Sequence, residues 1–152
     1  MATHYRGSKQ EQRALNLFIA LSRSSDSLQK AALRHAPLPD GLTLSQFGVL
    51  EALLHLGPMP QSVVARKVLK TKGNISVVVS HLEGRGLVLR TRADDDRRRL
   101  LIALTTAGRE LIAGFFPRMA RGFAKSARVL TAEEQTTLTA LCKKLGAGAN
   151  AQ

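Results

Sequence analysis

Residues 70–87 read KTKGNISVVVSHLEGRGL, and the conformation of this stretch decides the fold. Ile75, Val77, Val78 and Val79 place β-branched side chains in four of five positions, a composition that favours a strand. Position argues otherwise. Ile75, Val78, Val79 and Leu82 stand at i, i+3, i+4 and i+7, which gathers them on one helical stripe. In a strand, Val78 would share a face with Ser76 and Ser80, leaving apolar and polar residues poorly separated. Gly84 and Gly86 supply a left-handed stop. The spacing predicts a helix from Lys72 to about Arg85.

Opposite the apolar stripe lie Gly73, Ser76, Val77 and Ser80, flanked by Asn74 and His81. A solvated helix face, the competing reading, would ordinarily carry Glu and Lys. Small polar groups around one outward Val instead suit a helix pressed into a DNA major groove, where Ser and Asn reach base edges and a Val methyl meets thymine.

Working outward, Leu15, Phe18, Leu21, Leu28 and Ala32 recur at helical spacing between Gln10 and His35, and Pro37 and Pro39 end that pattern. Thr43 and Gln46 have the form of a capping box before a second helix with Leu44, Phe47, Leu50 and Leu54 on one face, stopped at Gly57-Pro58. A short third helix follows over 61–68, with Val64, Ala65 and Val68 on one side and Arg66 and Lys67 on the other. Beyond the opening stretch, LVLRTR (87–92) and RLLIAL (99–104) flank the charged loop ADDDRR and read as an antiparallel hairpin. Thr105 caps a fifth helix with a kink or break expected at Pro117, and Thr131 with Glu134 forms a box before a last helix bearing Leu138, Leu141 and Leu145. The tail over 147–152 is expected to be flexible.

With 152 residues, 44% of them hydrophobic, the chain suits a single domain. Lys and Arg number 23 against 11 Asp and Glu, and a net charge of +12 favours a polyanionic partner. One cysteine, Cys142, excludes an internal disulfide, and four scattered His form no ligand cluster, so neither metal nor cofactor is expected. The aspartates of the loop lack the Gly and distal Glu of an EF-hand. No segment approaches the ~20 apolar residues of a membrane span, and no secretory leader is evident, so a cytoplasmic location is expected. No nucleophile-base pair or phosphate loop points to an enzyme.

Three helices followed by a hairpin make a winged helix-turn-helix: mainly α with a small β wing, helices extending it at both ends. Leu82-Glu83-Gly84-Arg85-Gly86-Leu87-Val88-Leu89-Arg90, then Asp96-Arg97-Arg98, then Leu104-Thr105-Thr106-Ala107-Gly108 carry a resemblance to the multiple antibiotic resistance regulator (MarR) family over roughly residues 10–146. The chain departs from the commoner pattern at Pro60, where Ser or Thr often caps the third helix, at Leu69-Lys70 in the turn, and at Lys72-Gly73-Asn74. The resemblance implies a homodimer joined through about 10–36 and 106–146, with a DNA-binding region over about 43–104. It implies a transcriptional regulator on a pseudo-palindromic operator, usually a repressor released by a small molecule, for instance a phenolic or aromatic one, or by an oxidant.

On this reading Asn74, Ser76, Val77 and Ser80 meet base edges, with Lys72 and His81 at phosphate or groove edge. Ser62, Lys70 and Thr71 are candidate phosphate contacts, which position without specifying. Arg97, Arg98 and Arg99 suit a narrow minor groove; the family match puts Arg98 at the wing tip and gives Asp96 the bracing of wing arginines. The family also places an effector between the end helices and the DNA-reading part, where Phe18, Phe47, His55, Phe115 and Met119 are candidates, although a residue of each kind is more often simply part of a core. Cys142 reads as a core or interface residue rather than a redox sensor, because the peroxide-sensing members use a Cys near the first helix. The competing functions are sequence-independent binding of DNA or RNA, and redox-responsive regulation.

Overall fold

The computed structural model describes residues 4–39, 41–68, 72–92 and 100–149, with 72, 73 and 149 described by their backbone alone. Among these, six α-helices and three strands follow in the order α1 (Lys9–His35), α2 (Leu44–Leu56), β1 (Met59–Pro60), α3 (Gln61–Lys67), α4 (Lys72–Gly84), β2 (Val88–Arg92), β3 (Leu100–Leu104), α5 (Thr106–Ser126) and α6 (Ala132–Ala149). A 3-10 turn at Ala127–Val129 precedes α6. The chain divides into two compact units, Pro37–Arg118 and Met1–Ala36 with Met119–Gln152.

In the unit Pro37–Arg118, α4 is the helix that the apolar spacing predicts. Ile75, Val79 and Leu82 are fully buried, Val78 is half-buried at the edge of the stripe, and Val77 is 57% exposed. The helix ends in a Schellman motif: the Leu87 amide donates to the Leu82 carbonyl at 2.9 Å and the Gly86 amide to the Glu83 carbonyl at 2.9 Å. Gly86, at φ +67°, supplies the left-handed residue. Gly84 is not part of that stop; it is the last helical residue.

The hairpin gains a third strand that the sequence reading does not contain. β1 pairs antiparallel with β3 (Met59 with Ile102, Pro60 with Leu101), so the strand order is β1-β3-β2. Two residues carry no alternation to detect, and Pro60, lacking an N–H, is compatible with an edge strand. β2 and β3 pair from Val88 with Leu104 to Arg92 with Leu100. The second helix is more central than its one-sided face implied: Gln46, Phe47, Val49, Leu50, Ala52 and Leu53 are all buried because α2 packs against α3, α4 and β3 together. Its capping box forms as expected, with the Gln46 amide 3.2 Å from Thr43 Oγ1 and the Thr43 amide 2.9 Å from Gln46 Oε1.

α5 runs through Pro117 as one helix, so the expected break does not occur. Proline removes one backbone bond and strains the turn before it, yet Ile112 and Phe115 ahead of it and Met119 and Gly122 behind it are buried and anchor both sides.

In the other unit, α1 begins with a capping box of Ser8 and Glu11, and α6 with the expected box of Thr131 and Glu134. The α1 and α5 backbones approach closely where a Cβ on Gly122 would stand 2.8 Å from the Ala32 carbonyl oxygen. α6 continues through Gly146 to Ala149, further than the expected flexible tail allows. A glycine in a helix costs only about 1 kcal/mol and no proline intervenes. Leu15, Leu17, Phe18 and Leu28 on α1 and Leu138, Leu141 and Leu145 on α6 are exposed in the protomer. Cys142 is exposed among the last three, which excludes a place in the protomer's own core.

Candidate nucleic-acid interface

α3 and α4 pack against each other and present adjoining outer faces. α3 starts directly from β1: Pro60 is its N-cap residue and makes no side-chain cap. Val64 and Ala65 turn inward, leaving Ser62, Arg66 and Lys67 exposed. On α4, Asn74, Val77, Ser80 and His81 are exposed and Ser76 is half-buried. Ser62 and the α4 set therefore lie on accessible surface. Lys70 and Thr71 fall outside the described residues, as do Asp96, Arg97, Arg98 and Arg99 and the side chain of Lys72.

The end of α4 is tied to its surroundings by three contacts, two of them between segments distant in the chain, that give the motif residues physical roles. Glu83 forms an ion pair with Arg90 on β2, joining the helix to the wing strand. Arg85 Nη1 donates to the Gly41 carbonyl at 2.6 Å, across 44 residues, holding the segment that leads into α2. Thr105 Oγ1 donates to the Gly86 carbonyl at 2.6 Å while accepting from the Gly108 amide at 3.0 Å, so one hydroxyl both caps α5 and holds the turn after α4.

Neither Arg85 nor Thr105 had been assigned to the site. Their signal lies in the motif spacing, but the partner of each is set by tertiary packing.

The five expected effector residues divide between the two units. Phe47, His55 and Phe115 belong to Pro37–Arg118, Phe18 and Met119 to the other. In the first unit a cluster forms around Phe47, which meets Phe115 edge-on at 5.8 Å and stacks with Phe116 at 6.5 Å. His55 contacts Phe116 at 4.6 Å. Phe116 is not among the five expected residues; its ring contacts with Phe47 and His55 arise from packing of α2 against it. Phe18 is 67% exposed, and Met119 is buried. A cavity of about 560 Å³ in the other unit is lined by Leu28, Arg34, Leu130 and Leu138 among others, and by none of the five. Among the described residues, no group of three or more His, Cys, Asp or Glu could hold a metal. No described helix is long and apolar enough to cross a membrane.

A helix-turn-helix pair braced by a three-stranded sheet, with a polar, low-bulk outer helix face, defines a winged helix-turn-helix protein. A sequence model of the MarR family matches residues 40–99. The chain is 33% identical over 138 residues to the HTH-type transcriptional regulator MhqR of Bacillus subtilis (strain 168), covering 91% of this chain and 94% of that one. Among solved structures, the PcaV transcriptional regulator of Streptomyces coelicolor in complex with its natural ligand is 26% identical with a TM-score of 0.71, covering 95% of this chain and 99% of that one. A mutant MarR of Escherichia coli complexed with operator DNA shares the fold at a TM-score of 0.76 and 21% identity, covering 91% and 99%. The chain belongs to the MarR family of transcriptional regulators.

Proposed function

We propose that the protein is a homodimeric, cytoplasmic repressor that binds a pseudo-palindromic double-stranded operator and is released by a small-molecule effector, phenolic or aromatic in kind. The observation that carries this reading is the face of α4: Val77 stands 57% exposed between exposed Asn74 and Ser80 on a helix whose other side, Ile75, Val79 and Leu82, is fully buried. A rigidly anchored helix with a shallow outer face can enter a major groove, where the Asn amide and Ser hydroxyls meet base edges and the Val methyls meet thymine. Ser76 reads beside them, and Lys72 and His81 lie at the groove edge. Ser62, Lys70 and Thr71 hold phosphates, and Arg97, Arg98 and Arg99, braced by Asp96, enter the minor groove from the wing.

Two protomers join through α1 and α6, whose exposed leucines and Phe18 need a second apolar surface. Such a dimer sets its two recognition helices about 34 Å apart, one turn of DNA. An effector that favours another spacing of the heads lowers the DNA-competent population. The solved relative holding its natural ligand and the cluster of Phe47, Phe115, Phe116 and His55 support a small-molecule switch. The exposed Cys142 has no second feature that favours a redox one.

Selection of bound duplexes from a random or genomic pool tests the reading. A recurrent inverted repeat is expected, with binding abolished by Ser76→Glu and weakened by Arg98→Ala in folded protein. Equal affinity for all duplexes at one moderate salt concentration would instead assign sequence-independent binding.

A further inference from the structure

The positive charge is not concentrated in the unit that carries α4. The unit Met1–Ala36 with Met119–Gln152 holds eleven Lys and Arg against four Asp and Glu, whereas Pro37–Arg118 holds twelve against seven. The larger excess therefore belongs to the unit to which base reading assigns nothing. Within it, Arg121 and Lys125 stand at i and i+4 on α5, Arg128 follows in the 3-10 turn, and all three are exposed. No acidic residue occurs from Leu111 to Ala132. Among the described residues, none of the three cations forms an ion pair.

A second copy of this unit is poorly equipped to neutralise them. Glu11 and Glu134 are engaged in capping boxes with Ser8 and Thr131, and Asp26 lies 2.7 Å from Lys30 Nζ. With Glu133 these make four acids against eleven Lys and Arg, so a second copy of the unit adds net positive charge rather than neutralising it. Duplex DNA, by contrast, presents a negative charge about every 1.7 Å along its axis, and counterion release favours each Lys or Arg that meets it.

From this we infer that Arg121, Lys125 and Arg128 form a second, sequence-independent contact with the phosphate backbone of double-stranded DNA, separate from the reading helix. The charge argument is independent of base recognition by α4. Lysine in place of either arginine keeps the charge and keeps the contact.

The test compares the full-length protein with a triple variant, R121Q/K125Q/R128Q, by fluorescence anisotropy on mixed-sequence duplex between about 50 and 200 mM salt. The slope of log affinity against log salt is expected to fall by about 2–3 per chain, and affinity at 0.1 M salt by about tenfold or more. The R121K/R128K variant is expected to retain both. The ratio of affinities for selected and mixed-sequence duplex should stay unchanged in the triple variant, as uniform phosphate contacts require. A wild-type ratio near one would count against operator reading and leave the slope result intact. Loss seen on long duplexes and not on short ones assigns flanking DNA, and loss of crosslinking between two duplexes assigns a second molecule. Unchanged slope and affinity at wild-type helicity overturns the inference. So does an unchanged slope with altered oligomer mass, or a loss confined to phosphatidylglycerol vesicles.

Discussion

Gly108 lies directly against the carbonyl oxygen of Leu87: a Cβ at position 108 would overlap that oxygen, which also accepts the Thr105 amide at 3.2 Å. The start of α5 is thereby seated on the turn that follows the reading helix.

Gly108→Ala is accordingly expected to destabilise the protein by about 1–3 kcal/mol, the range for overpacking a tight site. Helix propensity alone would stabilise it by about 1 kcal/mol, so the sign decides the matter. Chemical denaturation measures it, and a gain in stability would refute the close seating.

Val77 and Val79 are chemically identical and differ in burial alone, 57% exposed against fully buried. Val79→Ala should cost about 1.5–3 kcal/mol through lost burial and a residual cavity. Val77→Ala should change stability by less than about 0.5 kcal/mol while weakening binding to selected duplexes. Equal destabilisation by the two substitutions would contradict the orientation of α4.

The ion pair of Glu83 with Arg90 is one-third exposed on both sides. Solvent screening limits such a pair, and a double-mutant cycle of Glu83→Gln and Arg90→Met should give a coupling of about 0.2–1 kcal/mol. A coupling well above that range would mean that the pair is dry in solution.

At the start of α1, hydrogen bonds from the Ser8 hydroxyl and then its amide hold the Glu11 carboxyl below its ordinary value. A lowered folded-state value means that the contribution is fully present above the ordinary carboxylate range and is lost as pH falls through the lowered one. An NMR titration should show the Ser8 amide resonance moving in that acidic window. Glu11→Gln, which preserves the box without a titrating group, should abolish the movement, and an unchanged titration in that variant would remove the assignment.

Local chemistry by itself determined much of this protein. The apolar period of Ile75, Val79 and Leu82, the boxes at Thr43 and Thr131, and the cap at Thr105 each involve residues within a turn or two, so their geometry follows from spacing. Tertiary structure decided the rest. β1 exists because Met59 and Pro60 find β3, α2 is buried on most sides because three elements surround it, and α5 passes Pro117 because buried residues anchor both flanks. The partner of Arg85, and the place of Phe116 beside Phe47 and His55, likewise depend on packing between segments distant in the chain. Spacing along one helix specifies which side chains share a face, but which backbone or ring each of them meets is fixed only when separate elements close on a common core.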